Sequence, residues 1–334
     1  MSDKKGFEIQ FNWIFILIAG AAIILFFTAI VIKQKSSSES SIKNTILKSI
    51  ESIVSSAGVS TDTITVEDIP NSNIEVECDK VSVGGIAKQY QNLIMFSPNS
   101  IKGDSLITQT LTFAVPYRAT NLLYITSPSL RYTLVGDNNL AKEINKSLPL
   151  ELKKEFFKSV PVLRNSNNYK IKLAVFDDTD MASIDLDAFK KTQDSSVTAV
   201  KIVGDEKKGD LEFYQKNGNR FELKGTSSYI SKSAIIGSIY SDSVGLYNCN
   251  MQNVFSRLNI VTKVYLERTE NLKELTKANP QCVGIYEKAL TILNTMLAES
   301  SDFNHADTKK MKDAAESLAA ANNEAQVYSC PLIY

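Results

Sequence analysis

A run of 22 residues without a charged side chain, Phe11 to Ile32 (FNWIFILIAGAAIILFFTAIVI), limits what this chain can be more than any other feature. As a helix it measures ~33 Å, enough to cross a hydrocarbon core of about 30 Å once. Asn12 and Trp13, the only tryptophan, stand at its start, where an amphipathic indole favours the headgroup layer, and Lys33 and Lys35 close its far end. A removable signal peptide has a shorter apolar core and a small-residue cleavage site, and IKQKSSS offers none, so the run reads as an uncleaved anchor. The organisation expected is a cytoplasmic tail over residues 1–10, a transmembrane helix over 11–32 and a soluble domain beyond.

Charge does not orient the span, because Lys4 and Lys5 before it balance Lys33 and Lys35 after it. A short tail before a large domain suits a signal anchor that exports the domain on its C-terminal side. Four cysteines, an even number, are compatible with an oxidising compartment. The expected location is therefore the cell membrane, with the bulk of the chain extracytoplasmic and the bilayer itself as partner of residues 11–32. Thirty-seven basic and thirty-seven acidic residues give no net charge, which argues against nucleic acid as a partner.

Beyond the anchor, hydropathy patterning predicts an α/β ectodomain in four blocks. Residues 33–58 form a polar hinge (SSSESS, 36–41) and an amphipathic helix, with Ile42, Ile46, Leu47, Ile50, Ile53 and Val54 at three- and four-residue spacing ending near Gly58. That stripe is expected to pack on the ectodomain. Residues 59–130 alternate as β strands, with turns at Pro70, Ser97-Pro98-Asn99 and Gly103-Asp104, and predict a largely antiparallel sheet with one wet face. Residues 131–243 read as α/β with a partly parallel sheet: strands at 131–137, 169–178, 197–205 and 233–242, a helix running from Ala141 through Phe156, a short helix near 185–192, and a hairpin at Asn217-Gly218. Residues 244–334 predict a C-terminal antiparallel helical bundle of three helices.

In an up-down-up bundle Cys282 and Cys330 fall at the same end and can meet, whereas Cys249 lies at the other end and is left for Cys78. Four cysteines allow three pairings, and spacing does not fix one. None has zinc-ribbon spacing. The chain has one histidine, His305, in a polar connection, with no nucleophile-and-acid pattern around it, and lacks GxxxxGK[ST], GxGxxG after a strand, and HExxH. Asn145-Lys146-Ser147 is an N-glycosylation acceptor pattern.

One constellation bears on catalysis. Predicted parallel strands end in acid: Asp137; Asp177, Asp178 and Asp180; and Asp205. Ligands of open α/β sheets lie off the carboxyl ends of strands, and carboxylates converging there would hold Mg²⁺ for phosphoryl chemistry. Asp178-Thr179-Asp180 faintly resembles the DxD motif of haloacid-dehalogenase-like phosphatases, with Ala182 where that motif has Thr or Val, and matches poorly the DxSxS site of von Willebrand A domains. The competing role of Asp and Asn after a strand is to cap a helix or start a turn.

Lys4-Lys5-Gly6-Phe7 before the apolar helix resembles the processing site of type IV pilins, and the order anchor, amphipathic helix, β domain is similar too; Glu8 departs from the pilin pattern, which has glutamate where Phe11 stands. FEIQFNWIFILIAG resembles the starts of uncharacterised archaeal single-pass membrane proteins, a likeness that covers the anchor and carries no activity. The expectation is a non-catalytic, membrane-anchored extracytoplasmic protein that meets a protein partner at the cell surface or in envelope assembly. A Mg²⁺-dependent phosphoesterase or ligand-binding domain and a pilin-like subunit are the alternatives.

Overall fold

The computed structural model describes residues 5–90, 93–163, 170–176 and 178–334. Its first element, α1 (Lys5–Ala57), is one unbroken helix of 53 residues. The expected hinge at 36–41 is instead a stretch of this helix: serine is a middling helix former, and with neither Gly nor Pro between Ala21 and Ala57 nothing stops propagation. From Ile16 on, α1 is long and apolar enough to cross a membrane. From Ile16 to Ile32 its large apolar side chains are bare, with Leu17 and Leu25 about 70 % exposed (68 % and 70 %). Only from Ile46 does it enter the head, where Ile46, Leu47, Ile50, Ile53 and Ala57 are buried.

The head is mixed α/β with two six-stranded mixed sheets. Sheet A contains β1 (Ile64–Glu77), β2 (Lys80–Val83), β3 (Ile86–Gln89), β4 (Met95–Phe96), β5 (Ser100–Ala114) and β6 (Arg118–Thr126), in the order β3-β2-β1-β5-β6-β4. All its pairings are antiparallel except β4 with β6. Pro70 and Gly103-Asp104, expected as turns, lie within long strands. The β1–β5 register shifts between Asp68 and Ser72, so Pro70 sits where the ladder is already broken and its missing N–H leaves no gap.

The expected wet face of this sheet is covered where β5 and β6 run. Along β6, Leu122 and Tyr124 point into the central core while Leu123 and Ile125 point to the other face, where α1 lies. A strand buried on both faces reads as a continuous apolar run, and NLLYIT has that form.

Sheet B contains β7 (Leu130–Val135), β8 (Lys153–Phe157), β9 (Lys170–Val175), β10 (Val197–Gly204), β11 (Lys208–Asn217) and β12 (Arg220–Ile230), ordered β12-β11-β10-β9-β7-β8. β8, β7, β9 and β10 are parallel, and β11 and β12 add antiparallel strands through the Asn217-Gly218 hairpin. Helix α2 (Asn139–Ser147) stops earlier than expected. Pro149 bars continuation, and Phe156 belongs to the edge strand β8. Short 3-10 turns at Met181–Ser183 and Asp187–Phe189 stand in the region expected to hold a short helix, and they cover the outer face of sheet B with Met181, Leu186 and Phe189.

The segment expected as a strand at 233–242 is a helix, α3 (Lys232–Tyr240). Every residue from Ser233 to Tyr240 is buried, so no polar face gives it a helical period, and an apolar run of this length is ambiguous between strand and helix. Gly237 permits its contact with sheet A: a Cβ there would lie 2.7 Å from the Phe96 ring. Three further helices follow, α4 (Val244–Leu275), α5 (Pro280–Glu299) and α6 (Thr308–Val327). Lys273 meets Glu287, Asn259 donates to the Leu297 carbonyl, and Lys310 meets Glu299, so each helix runs opposite to the next. Met251, Val254 and Leu258 of α4, Tyr286 and Leu293 of α5, and Met311 and Leu318 of α6 join the core shared by both sheets.

Candidate functional site

Of the strand-end aspartates, Asp137, Asp180 and Asp205 have local work. Asp137, past β7, pairs with Lys142 at 3.0 Å and Lys158 at 3.8 Å, and the hydrogen bond and charge of Lys142, then Lys158, hold its carboxyl below the usual range. Asp205, past β10, accepts from the backbone N–H of Lys207 at 2.8 Å and Lys208 at 3.0 Å in the β10–β11 turn. Slight burial raises its carboxyl, and those two bonds bring it below the usual range. Asp180 caps the 3-10 turn, accepting from Ala182 N–H at 3.0 Å. Asp178 is exposed, and Asp177 lies outside the described residues.

Strand register separates these groups further. Val135, Val175 and Lys201 lie side by side across β7, β9 and β10, so Asp137 is two residues past that line and Asp205 four. Among the described residues, the carboxylates gathered within ligand distance with other donors are not these; the one such group is Cys78, Asp79 and Cys249. No described geometry therefore supplies the Mg²⁺ site.

The cysteines come together as two pairs at disulfide distance, Cys78 with Cys249 and Cys282 with Cys330, with Cα separations of 5.8 and 5.7 Å. The first ties the β1–β2 turn of sheet A to α4, and the second ties the start of α5 to the chain just past α6. Asp79 beside the first pair is 3.5 Å from the Asn253 amide of α4. His305 is an exposed residue whose Nδ1 lies 2.7 Å from Asp302 Oδ2, in a 3-10 turn ahead of α6.

Sequence patterning gives no sign of a buried charged joint between the sheets. Asp242, in the α3–α4 connection, meets Lys170 of β9 at 2.5 Å, accepts the Asn99 backbone N–H from the β4–β5 connection at 3.0 Å, and is 3.4 Å from Thr198 Oγ1 of β10. Lys172 Nζ, almost wholly buried, donates to the Ser241 carbonyl at 2.5 Å and lies 5.4 Å from the Phe213 ring centre. Burial lowers the Lys172 ammonium to about 8, against the attraction of Asp242. A lysine so tuned suits nucleophilic chemistry only beside a cavity, and Lys172 is not among the residues that line the cleft between α1, β6 and α4.

A cleft of about 540 Å³ opens where the end of α1, the start of β6 and α4 meet. Val54, Leu93, Ile94 and Leu123 make its apolar wall, and Arg118, Thr120, Asn121, Tyr90 and Arg257 its polar one. Asn121 closes the end of α1, its Nδ2 donating to the carbonyls of Ala57 at 3.0 Å and Ser60 at 2.7 Å, while its Oδ1 accepts from Arg118 at 3.0 Å. The Tyr90 hydroxyl, raised by burial and then by the charge of Glu51, stays neutral and donates to the Leu47 carbonyl at 3.4 Å. These residues come from segments far apart in sequence and form no motif, so spacing holds no signal for them.

Comparison with protein-family models, with curated proteins and with solved structures finds no match for this chain.

Proposed function

We propose that this chain is a single-pass membrane protein that presents its head outside the cytoplasm for surface interaction or envelope assembly, without catalysis. The observation that carries this reading is the sharing of one helix between two environments. Residues Ile16 to Ile32 of α1 are apolar and uncovered, and Ile46 to Ala57 are built into sheet A. An uncovered apolar surface of this size in water is a liability, and a bilayer removes it. Two cysteine pairs at disulfide distance support an oxidising compartment. Protease shaving of intact cells tests the reading: the head is digested while a cytoplasmic marker survives, and a protected head overturns it. Placing arginine at both Ile24 and Leu25 should release the protein from the membrane fraction, since each charge at a helix centre costs about 2.5–3.5 kcal/mol on insertion.

The continuity of α1 favours one second reading, the pilin-like subunit. Anchor, docking stripe and β sheet then belong to one rigid helix-and-sheet unit that can assemble side by side through its apolar halves. That reading requires processing after Gly6. The mass of the mature amino terminus decides it: an N-terminus at Phe7 supports the subunit, and a retained Lys4-Lys5 removes it.

A further inference from the structure

We infer that the cleft between α1, β6 and α4 is a binding site for a small organic carboxylate with an apolar body. Its volume, about 540 Å³, lies within the roughly 300–1,000 Å³ range of small-molecule sites. Its charge is one-sided. Arg118 and Arg257 line it, and among the described residues no Asp or Glu does. Of the carboxylates on neighbouring elements, Glu51 is paired with Lys88 at 2.5 Å and Asp79 lies 3.5 Å from the Asn253 amide.

Neither guanidinium is consumed by the fold. Arg118 directs one nitrogen to Asn121, which leaves most of its donors open, and Arg257 makes no hydrogen bond or ion pair among the described residues. The negative end of α1 accounts for part of the attraction of cations to this place, but its last carbonyls are taken by Asn121 and by the N–H groups of Val59 and Ser60. A planar guanidinium fork fits a carboxylate in bidentate fashion, and Val54, Leu93, Ile94 and Leu123 supply a wall for an aliphatic or aromatic body that inorganic phosphate lacks.

Headgroups of the protein's own bilayer are out of reach. Lys33 to Ala57 is 24 steps of helix, so the cleft stands ~36 Å along α1 from the end of the apolar run. The ligand is therefore a soluble one, and the site does not depend on which face of the membrane carries the head.

Calorimetric titration of the full chain in nanodiscs of zwitterionic lipid tests the assignment, with phenylacetate as probe, phenylacetamide as its neutral counterpart and inorganic phosphate as the bare anion. Phenylacetate binds, and the amide and phosphate bind at least tenfold more weakly; equal binding of the amide or of phosphate overturns the carboxylate assignment. Arg257→Ala weakens phenylacetate about tenfold or more, the factor expected for a lost charge-assisted hydrogen bond, while Arg220→Ala, on the distant hairpin of sheet B, leaves it unchanged. Because Arg257 has no polar partner among the described residues, Arg257→Ala without ligand melts like the parent protein. A drop of several degrees would show a structural arginine and sink the proposal, as would undiminished binding. Arg257→Lys, which keeps the charge and loses the fork, falls between parent and Ala; a lysine variant that binds as well as the parent overturns the bidentate geometry.

Discussion

Two joints hold this molecule together, and they are made of opposite materials. Where α1 meets sheet A the buried side chains are apolar, Ile46, Leu47, Ile50 and Ile53 against Val76, Val81, Val83 and Leu123, with polar contacts such as Lys88–Glu51 kept at an exposed rim. Where sheet A, sheet B and α3 meet, the large apolar core is interrupted by Asp242, Lys170 and Lys172, all at least nine-tenths buried. The first joint is non-directional, and the side chains buried in it carry no charge. The second fixes one arrangement, because Asp242 has to find Lys170, Asn99 and Thr198 together.

The contrast predicts different penalties for removing one side chain from each. Asp242→Ala leaves Lys170 and Lys172 buried without their carboxylate, and should lower stability by about 3–5 kcal/mol, the largest effect anticipated here. Ile50→Ala in the apolar joint removes a side chain that is 2 % exposed and should lower stability by about 2–4 kcal/mol, through lost transfer energy and a residual cavity. Denaturant titration of the full chain in nanodiscs measures both. If Asp242→Ala proves milder than Ile50→Ala, the charged joint is dispensable packing and the contrast fails.

The same contrast decides which parts of the fold are legible in the sequence. The apolar joint lies on one helix, so the three-and-four spacing of Ile46, Ile50 and Ile53 announces it. The β texture of 64–126 and the Asn217-Gly218 hairpin are local signals of the same kind. The charged joint combines residues of β9, β10, the β4–β5 connection and the α3–α4 connection, and nothing about Asp242 in the sequence distinguishes it from an exposed acid. Helix α3 passes for a strand for a related reason, since burial on all sides erases its period. The serine run at 36–41 passes for a hinge because its composition suggests a loop, while the absence of any Gly or Pro lets the helix continue through it. Arg118 and Arg257 stand in no motif, so the cleft becomes visible only when β6 and α4 are side by side.

Titration sharpens the comparison with a smaller effect. Burial sets the Lys172 ammonium at about 8, below its ordinary 10.5. Between those values the unfolded chain holds a proton that the folded chain has released, so stability rises with pH across that window; below about 8 both states are protonated and the burial penalty is felt in full. Above about 10 the unfolded tyrosines ionise while Tyr124, Tyr240 and Tyr247, raised by burial, stay neutral, which turns the trend downward. Lys172→Met removes the ammonium with little change of volume. The stability difference between parent and variant should therefore shift by about 2 kcal/mol in the parent's favour from pH 8 to pH 10. Ile50→Ala compared with the parent in the same way should show a flat difference, and a slope there would break the distinction between the joints.

The smallest effect concerns the stretch of α1 that belongs to neither joint. Between Ile32 and Ile46 the helix is exposed almost throughout, and Lys43 donating to the Gly84 carbonyl at 3.0 Å is the contact that comes before the apolar docking begins. Ser38→Pro breaks this stretch locally at about 3 kcal/mol of helix propensity, yet no buried side chain of the head depends on it. The melting of the head should accordingly stay within about 0.5 kcal/mol of the parent. What changes is geometry: spin labels placed at Thr28 and Lys88 should give one narrow distance distribution in the parent and a broad one in Ser38→Pro. A head that loses stability on this substitution would mean that the docked half of α1 relies on the exposed half for its helicity, and the apolar joint would then extend below Ile46. An equally broad distribution in the parent would restore a hinge at the serine run and remove the rigid helix-and-sheet unit.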